Sequence, residues 1–373
     1  MKILIVTAAY NPTVNGVVTH VQSLKENLEK YGHEVWVLAP KRKGFLDQEK
    51  NIVRLESFRN PLNSDYPLAF GFFYPRSLKK IKFDIIHLHH PFGLTQVALR
   101  AKNKSGAKLI FTNHTQYEAY AEYYAKLISV PLRPLIRHLL KALYKKCDRV
   151  ICSTTDIENY VKKINPKTKT EVIPVGFNDR ALVAIFDKDK TRKMHHIKKS
   201  DFYLLYAGRI AAEKNIDYLI KSVKEIHSKN KNIKLVIVGG GDYLKKLAAE
   251  GNEYIIFTGT MKPDKLASHY QDCDLFASAS TSETLGLVFA EAAFLGAPLL
   301  GIDSDGVRDV IKNNMNGILA KDEQEFKEIL SDFAEGKIKI DDFKYNAKKT
   351  SLPFSATENS KKVEALYKDL IKK

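Results

Sequence analysis

The chain has 373 residues, 44% of them hydrophobic, three cysteines and a formal net charge of +17. This length predicts two domains and the apolar content excludes a disordered chain, while three scattered cysteines (Cys147, Cys152, Cys273) exclude a disulfide framework or cysteine zinc site and fit a reducing cytosol. Residues 1–175 hold 28 Lys and Arg against 14 Asp and Glu, a charge of +14, whereas residues 176–373 hold 32 against 29, +3; a lysine-rich genome would load both halves equally, so the asymmetry points to an anionic partner, membrane or nucleic acid.

The opening MKILIVTAAY is read as a buried parallel strand in preference to a signal peptide, because its apolar run is short. NPTVNGVVTHV (11–21) joins it to a helical pattern, and Gly16 there lets the backbone approach a ligand closely or simply makes a turn. HEVWVLAP and DIIHLHH are the next strands. His87 and His89 share a strand face, but no carboxylate or cysteine follows to complete four ligands, so no metal is expected. KLIFTNH is followed by a loop carrying His114, Tyr117, Glu118 and Tyr120. His114 is placed to face an interdomain cleft, where a neutral imidazole can bond a sugar hydroxyl or take a proton.

Residues 133–149, RPLIRHLLKALYKKCDR, form an amphipathic helical pattern. Leu135, Ile136, Leu139, Leu140 and Leu143 fall in one arc, with Arg133, Arg137, Lys141 and Lys145 on the other side. Alone, the helix fits a solvated basic face and an anionic bilayer equally well. The cations of PRSLKKIK (75–82) and the charge of the whole half favour the bilayer. RVICST and EVIPV complete the first set of strands. A polar stretch near 173–200 separates a domain over 1–175 from a second over 176–350.

FYLLYAGR opens the second set. Gly208 ends that strand, Arg209 sits at its carboxyl end and Lys214 precedes a helix. Two cations beside a helix N-terminus can clamp a diphosphate, although alone they also fit a solvated strand end. IKLVIVGG leads into VGGGDYLKKL (238–247), a tight turn that is not a dinucleotide fingerprint. EYIIFTG, DLFASAS and APLLGI follow. Between the last two lies TSETLGLVFAEAAFLGAP (281–298), with Glu283 in a loop, Gly286, and Glu291 on a helix. Carboxylates accept hydrogen bonds in pairs, sugar hydroxyls donate them, and open α/β sheets bind ligands at this strand edge. Asp303 and Asp305 fall in a later loop and are not read as a metal motif. Residues 284–302, the longest run of low charge, read as a buried helix and strand, so no membrane span is expected. The segment over 351–373 reads as a helix with Val363, Leu366, Tyr367 and Leu370 on one face, free to cross back to the first domain.

These alternating strands and helices predict an α/β fold of two Rossmann-like domains with parallel sheets. The motifs Glu283-x7-Glu291 with Gly286 inside, GRIAAEKN and NGVVTHV resemble those of the retaining family-4 glycosyltransferases of the GT-B fold, over nearly the whole chain. The resemblance implies two domains facing a cleft, and a nucleotide-sugar donor held by Gly16, Gly208, Arg209, Lys214, Glu283, Leu285, Gly286, Leu287 and Glu291. In it, Glu283 contacts the donor sugar, Glu291 the ribose hydroxyls, Arg209 and Lys214 the diphosphate, and His114 the transferred sugar. Arg209 and Lys214 stand in for a metal, so no metal or other cofactor is expected.

HTQYEAYAEYY and DIIHLHHPF are similar to segments of the diacylglycerol glucosyltransferases within that family. This implies transfer of glucose from UDP-glucose to diacylglycerol, with Tyr117 and the basic helix on the acceptor side. The enzyme would be peripheral on the cytoplasmic face of the membrane. Two positions depart from the pattern: Leu285 stands where that group often has glutamine, and Asp305 where family members commonly carry the first glycine of a pair, leaving the donor sugar open. The alternative acceptor is a soluble or lipopolysaccharide-type glycan, and a sugar-nucleotide epimerase is a minor alternative. The aromatic-plus-basic signatures of RNA modules are absent, so nucleic acid is not expected as a partner.

Overall fold

Strands whose residues are apolar without interruption need cover on both faces, and parallel sheets provide it. The computed structural model describes residues 1–13, 15–58, 60, 67–69, 71, 74–118, 129–182, 187, 189–281, 283 and 286–372. The chain divides into two compact units, residues 1–176 with 356–373, and residues 177–355.

The first unit is built on strands β1 (Lys2–Val6), β2 (Glu34–Pro40), β3 (Ile52–Leu55), β4 (Ile85–Leu88), β5 (Lys108–Asn113), β6 (Arg149–Cys152) and β7 (Thr170–Val172). They form one sheet in the order β3-β2-β1-β4-β5-β6-β7, with every named pair parallel. The two-residue period of β1 splits its side chains between two cores. Leu4 and Val6 join Leu38, Leu88 and Val97 on one face, and Ile3 and Ile5 join Val21, Leu24 and Val37 on the other.

Helices α1 (Gly16–Lys30), α2 (Thr95–Ser105), α3 (Ser129–Tyr144) and α4 (Thr155–Ile164) cover these faces. The side chain of Asn15 caps α1 by accepting from Val18 N at 2.9 Å, satisfying one of the free N–H groups of its first turn. A final helix (Ala356–Lys372) packs beside α1. Its apolar face, Val363, Leu366, Tyr367 and Leu370, closes the core over β1. Polar bonds fix its register: Asn27 donates to Ala356 O and Ser360 Oγ, each at 3.1 Å.

The second unit repeats the plan with β8 (Phe202–Ala207), β9 (Ile233–Val238), β10 (Ile255–Gly259), β11 (Leu275–Ser278), β12 (Leu299–Ile302) and β13 (Gly317–Ala320). Their order is β10-β9-β8-β11-β12-β13, again parallel. Each sheet reverses its strand order once, between β1 and β4 in the first unit and between β8 and β11 in the second. Those reversals are the switch points at which open α/β sheets gather ligands. Among the described residues no helix is long and apolar enough to cross a membrane.

Candidate functional site

In the second unit the backbone beyond β8 is fixed by glycines. Gly239 and Gly241 both have φ of 152°, and a Cβ on them would lie 1.8 Å from Gly208 O and 2.2 Å from Ile210 O. Gly208 N donates to Val238 O at 3.0 Å and Ile210 N to Gly240 O at 2.9 Å. The VGGGD turn therefore braces the segment that carries Arg209. This accounts for Gly239 and Gly241 without any ligand.

Lys214 closes a short turn after Arg209 and reaches the loop that follows the neighbouring strand β11. Its Nζ donates to Glu283 Oε1 at 2.7 Å, with both side chains only about 15% exposed. A cation after β8 and a carboxylate after β11 thus meet across the switch point. Arg209 does not join them. It is 63% exposed and bonds Glu213, four residues on, a partner that its spacing could have suggested. Tyr206 donates to Arg209 O at 3.1 Å, and burial, followed by the nearby Glu283, pushes its phenol above the ordinary range.

The loop of Glu283 is pinned to the turn after β12. Gly306 N donates to Glu283 O at 3.0 Å. Gly286 sits at φ +58°, and a Cβ there would lie 2.3 Å from Gly306 O. Gly286 therefore has a packing reason to be glycine. Leu285 lies outside the described residues, as does the side chain of Asp305. Gly286 leads into a helix (Leu287–Phe294) whose Leu287 packs on the core and whose Glu291 follows one turn later. Glu291 is bonded by Tyr270, which donates to Oε2 at 3.2 Å from the helix Pro263–Asp272. Burial raises its carboxyl to about 7, and the phenol bond offsets part of that rise. No local signal in the sequence pointed to Tyr270.

In the first unit the corresponding edge is a cluster of five histidines, four buried and His90 half-buried. His114 follows β5 and is only 5% exposed. Its Nε2 lies 3.0 Å from His89 Nδ1, and the two rings stack at 5.3 Å. His20 from α1 lies within 6 Å of both rings, at centroid distances of 5.6 and 5.7 Å. His87 is held on both sides, by Tyr367 Oη and Thr112 Oγ1, each at 2.6 Å. His90 Nδ1 accepts from Ala8 N at 3.0 Å across the switch point. Burial lowers His20 and His90 to about 4 and His87 to about 3, and it holds His89 and His114 well below the usual value. These imidazoles are neutral at pH 7. His114, read from sequence as a lone loop histidine, is one of five in a cluster to which His20 and His90 had not been assigned. Among the described residues no group of three or more His, Cys, Asp or Glu is arranged to hold a metal ion.

Gly16 is the exposed first residue of α1. Tyr117 is buried, with its ring edge-on to Phe92 at 5.4 Å. Tyr120 lies outside the described residues. Arg133, Arg137 and Lys141 are exposed on α3, and Lys145 is exposed just beyond it. Arg137 pairs with Glu118. The single apolar arc read for this helix is divided. Leu140 and Leu143 are buried and Ile136 packs against the same core, whereas Leu135 and Leu139 remain 51% and 47% exposed.

Two doubly wound parallel sheets, each with polar side chains gathered at its switch point, define a two-unit Rossmann-like architecture. The family models Glycosyltransferase Family 4 and Glycosyl transferases group 1 match residues 14–180 and 187–350. An alpha-monoglucosyldiacylglycerol synthase of Streptococcus pneumoniae is 30% identical over 332 residues, covering 86% of this chain and 75% of that protein. One from Acholeplasma laidlawii is 28% identical over 390 residues, covering 100% and 98%. A GDP-mannose-dependent alpha-mannosyltransferase of Corynebacterium glutamicum is 28% identical over 356 residues, covering 90% and 80%. The crystal structure of Anabaena HepE in complex with UDP superposes with a TM-score of 0.77 at 18% identity, covering 99% of this chain and 100% of that one. The chain belongs to the family-4 glycosyltransferases and is an enzyme of the glycosyltransferase class.

Proposed function

We propose that the protein transfers glucose from UDP-glucose to diacylglycerol at an anionic membrane surface, with retention at the anomeric carbon. The observation that carries this reading is the Lys214–Glu283 pair across the second switch point. A diphosphate entering there finds Lys214 held in place by a carboxylate and Arg209 on the adjoining turn. As the bond from the anomeric carbon to the diphosphate breaks, its electron pair moves onto the departing phosphate oxygen. Fixed cations stabilise that charge most as it develops, and they do so without a metal. The acceptor hydroxyl forms the new bond on the same face, and its proton passes to the departing diphosphate. Glu283 holds Lys214 and takes hydrogen bonds from the sugar, Glu291 takes those of the ribose, and the neutral His114 bonds a sugar hydroxyl.

The lipid acceptor is supported by the two diacylglycerol-named relatives and by the cations and exposed leucines of α3. The test is an acceptor screen with chelator present. Purified protein receives radiolabelled UDP-glucose, UDP-galactose or GDP-mannose with diacylglycerol vesicles or with soluble sugars. Label from UDP-glucose in the lipid fraction is expected. Label confined to soluble glycans, or drawn only from GDP-mannose, rejects the reading.

A further inference from the structure

Of the two exposed leucines of α3, Leu139 is not isolated on its surface. Leu139 lies on the wall of a groove of about 340 Å³ that runs between α2 and α3. Leu99 forms the opposite wall, Ala142 and Leu143 extend the first, and Phe92 stands at one end with Lys146 at the other. The floor is backbone: Gly71 N donates to Gly93 O at 2.8 Å. A Cβ on Gly71 would lie 2.7 Å from Val97 Cγ1, and one on Gly93 would lie 2.6 Å from Ala69 O. Side chains at these two positions would collide with the packing beneath. From Leu139 to Lys146 the groove extends about 10 Å at the rise of a helix.

Position and charge identify what fits. Phe92 follows His90 by two residues and touches Tyr117, three residues after His114, which puts this end of the groove at the edge where His114 stands. Arg133, Lys141, Lys145 and Lys146 are exposed along and just beyond the same helix. An anionic bilayer is complementary to these cations, and Lys146 is the one of them that stands at the groove itself. Among the described groove-lining residues Lys146 alone carries a charge, and besides Thr95 and Gln96 the others are apolar or glycine, which favours hydrocarbon over a polar glycan.

Resting on the reading of a lipid acceptor, we infer that one acyl chain of the diacylglycerol acceptor lies in the groove between α2 and α3. Its glycerol hydroxyl is then at the Phe92 end, beside His114. Chain length becomes a determinant of transfer, because a short-chain glyceride leaves the groove unfilled.

The test uses the full chain on anionic vesicles containing diacylglycerol with a photoreactive diazirine in one acyl chain. Labelled residues are mapped by mass spectrometry. Label on Phe92, Leu99, Leu139 or Ala142 is expected. In parallel, Ala142→Trp fills the groove from an exposed position and should lower the ratio of long-chain to short-chain transfer at least tenfold. Transfer to diacylglycerol with label only outside the groove, or an unchanged ratio in a folded Ala142→Trp, overturns the inference and leaves the acceptor reading standing. Groove label without transfer keeps the site and rejects that reading. Neither label nor transfer overturns both.

Discussion

The two switch points of this chain are built from the same topology and opposite chemistry. In the second unit a lysine and a glutamate meet at 2.7 Å, and an arginine beside them is 63% exposed. In the first, four imidazoles are buried together beside the half-buried His90, and desolvation keeps them uncharged. The difference follows from what each edge can solvate. A partly open edge keeps its charges, because water and the opposite charge share the cost of holding them. A closed one neutralises its titratable groups through their pKa values. The charged edge suits a diphosphate that leaves with negative charge, and the neutral edge suits hydroxyls that need hydrogen bonds but no counter-ion.

The contrast is broken most directly at Lys214. Lys214→Ala removes the buried half of the proposed clamp and leaves Glu283 without its cation. A loss of about 10² to 10³ in kcat is expected, the magnitude seen when a fixed group opposite a developing oxyanion is removed. Arg209→Ala should cost less, because that side chain is exposed and already bound to Glu213. Steady-state kinetics with UDP-glucose, alongside thermal melts to confirm folding, make the comparison. Equal and near-wild-type rates for both variants would remove the diphosphate from this edge.

The first unit also differs from the second in its surface. Its excess charge includes Arg133, Lys141 and Lys145 on and beside α3. Each cation near an anionic bilayer contributes about 1 kcal/mol. Replacing all three by alanine should weaken vesicle binding on the order of a hundredfold at physiological salt, with the effect shrinking at high salt. Arg137→Ala should do less than Lys141→Ala or Lys145→Ala, because Glu118 already holds its guanidinium. Cosedimentation with vesicles of graded anionic lipid reads both. Retained binding in the triple variant would reject α3 as the membrane face.

What could be read from the sequence divides along physical lines. The central strands are continuous apolar runs and were legible. Two of the four edge strands, β3 (IVRL) and β13 (GILA), were not, because Arg54 interrupts one four-residue run and Gly317 shortens the other. Glu283 and Lys214 were legible as types in a spacing, but their direct contact depends on β8 and β11 being neighbours. The partners Tyr270, Glu213 and Tyr206 come from packing or from the local turn. The histidine cluster is the clearest case. His20 lies on α1, His87, His89 and His90 around the end of β4, and His114 after β5, so only the strand order β1-β4-β5 brings them together. The amphipathic pattern of α3 identified its apolar residues, yet it could not separate the leucines facing the core from those that remain exposed.

Glu291 sharpens the comparison, since burial disfavours its charge in the second unit as it disfavours that of the histidines in the first. Burial raises it to about 7, so in the free protein its proton is shared evenly near neutral pH. Two ribose hydroxyls donating to the carboxylate, beside the phenol of Tyr270, favour the ionised form, and a bound proton competes with them. Affinity for UDP-glucose should therefore rise with pH through 7 and level off above it, changing about tenfold between pH 6 and pH 8. Glu291→Gln should bind weakly and lose that dependence, because an amide does not titrate. For stability the sign is reversed. The unfolded carboxyl ionises in its ordinary range while the native one still holds its proton, so native stability falls as pH rises towards 7 and is flat beyond. Calorimetric titration with UDP-glucose across this range reads the binding arm. An affinity that is flat, or that falls with rising pH, would place the ribose elsewhere.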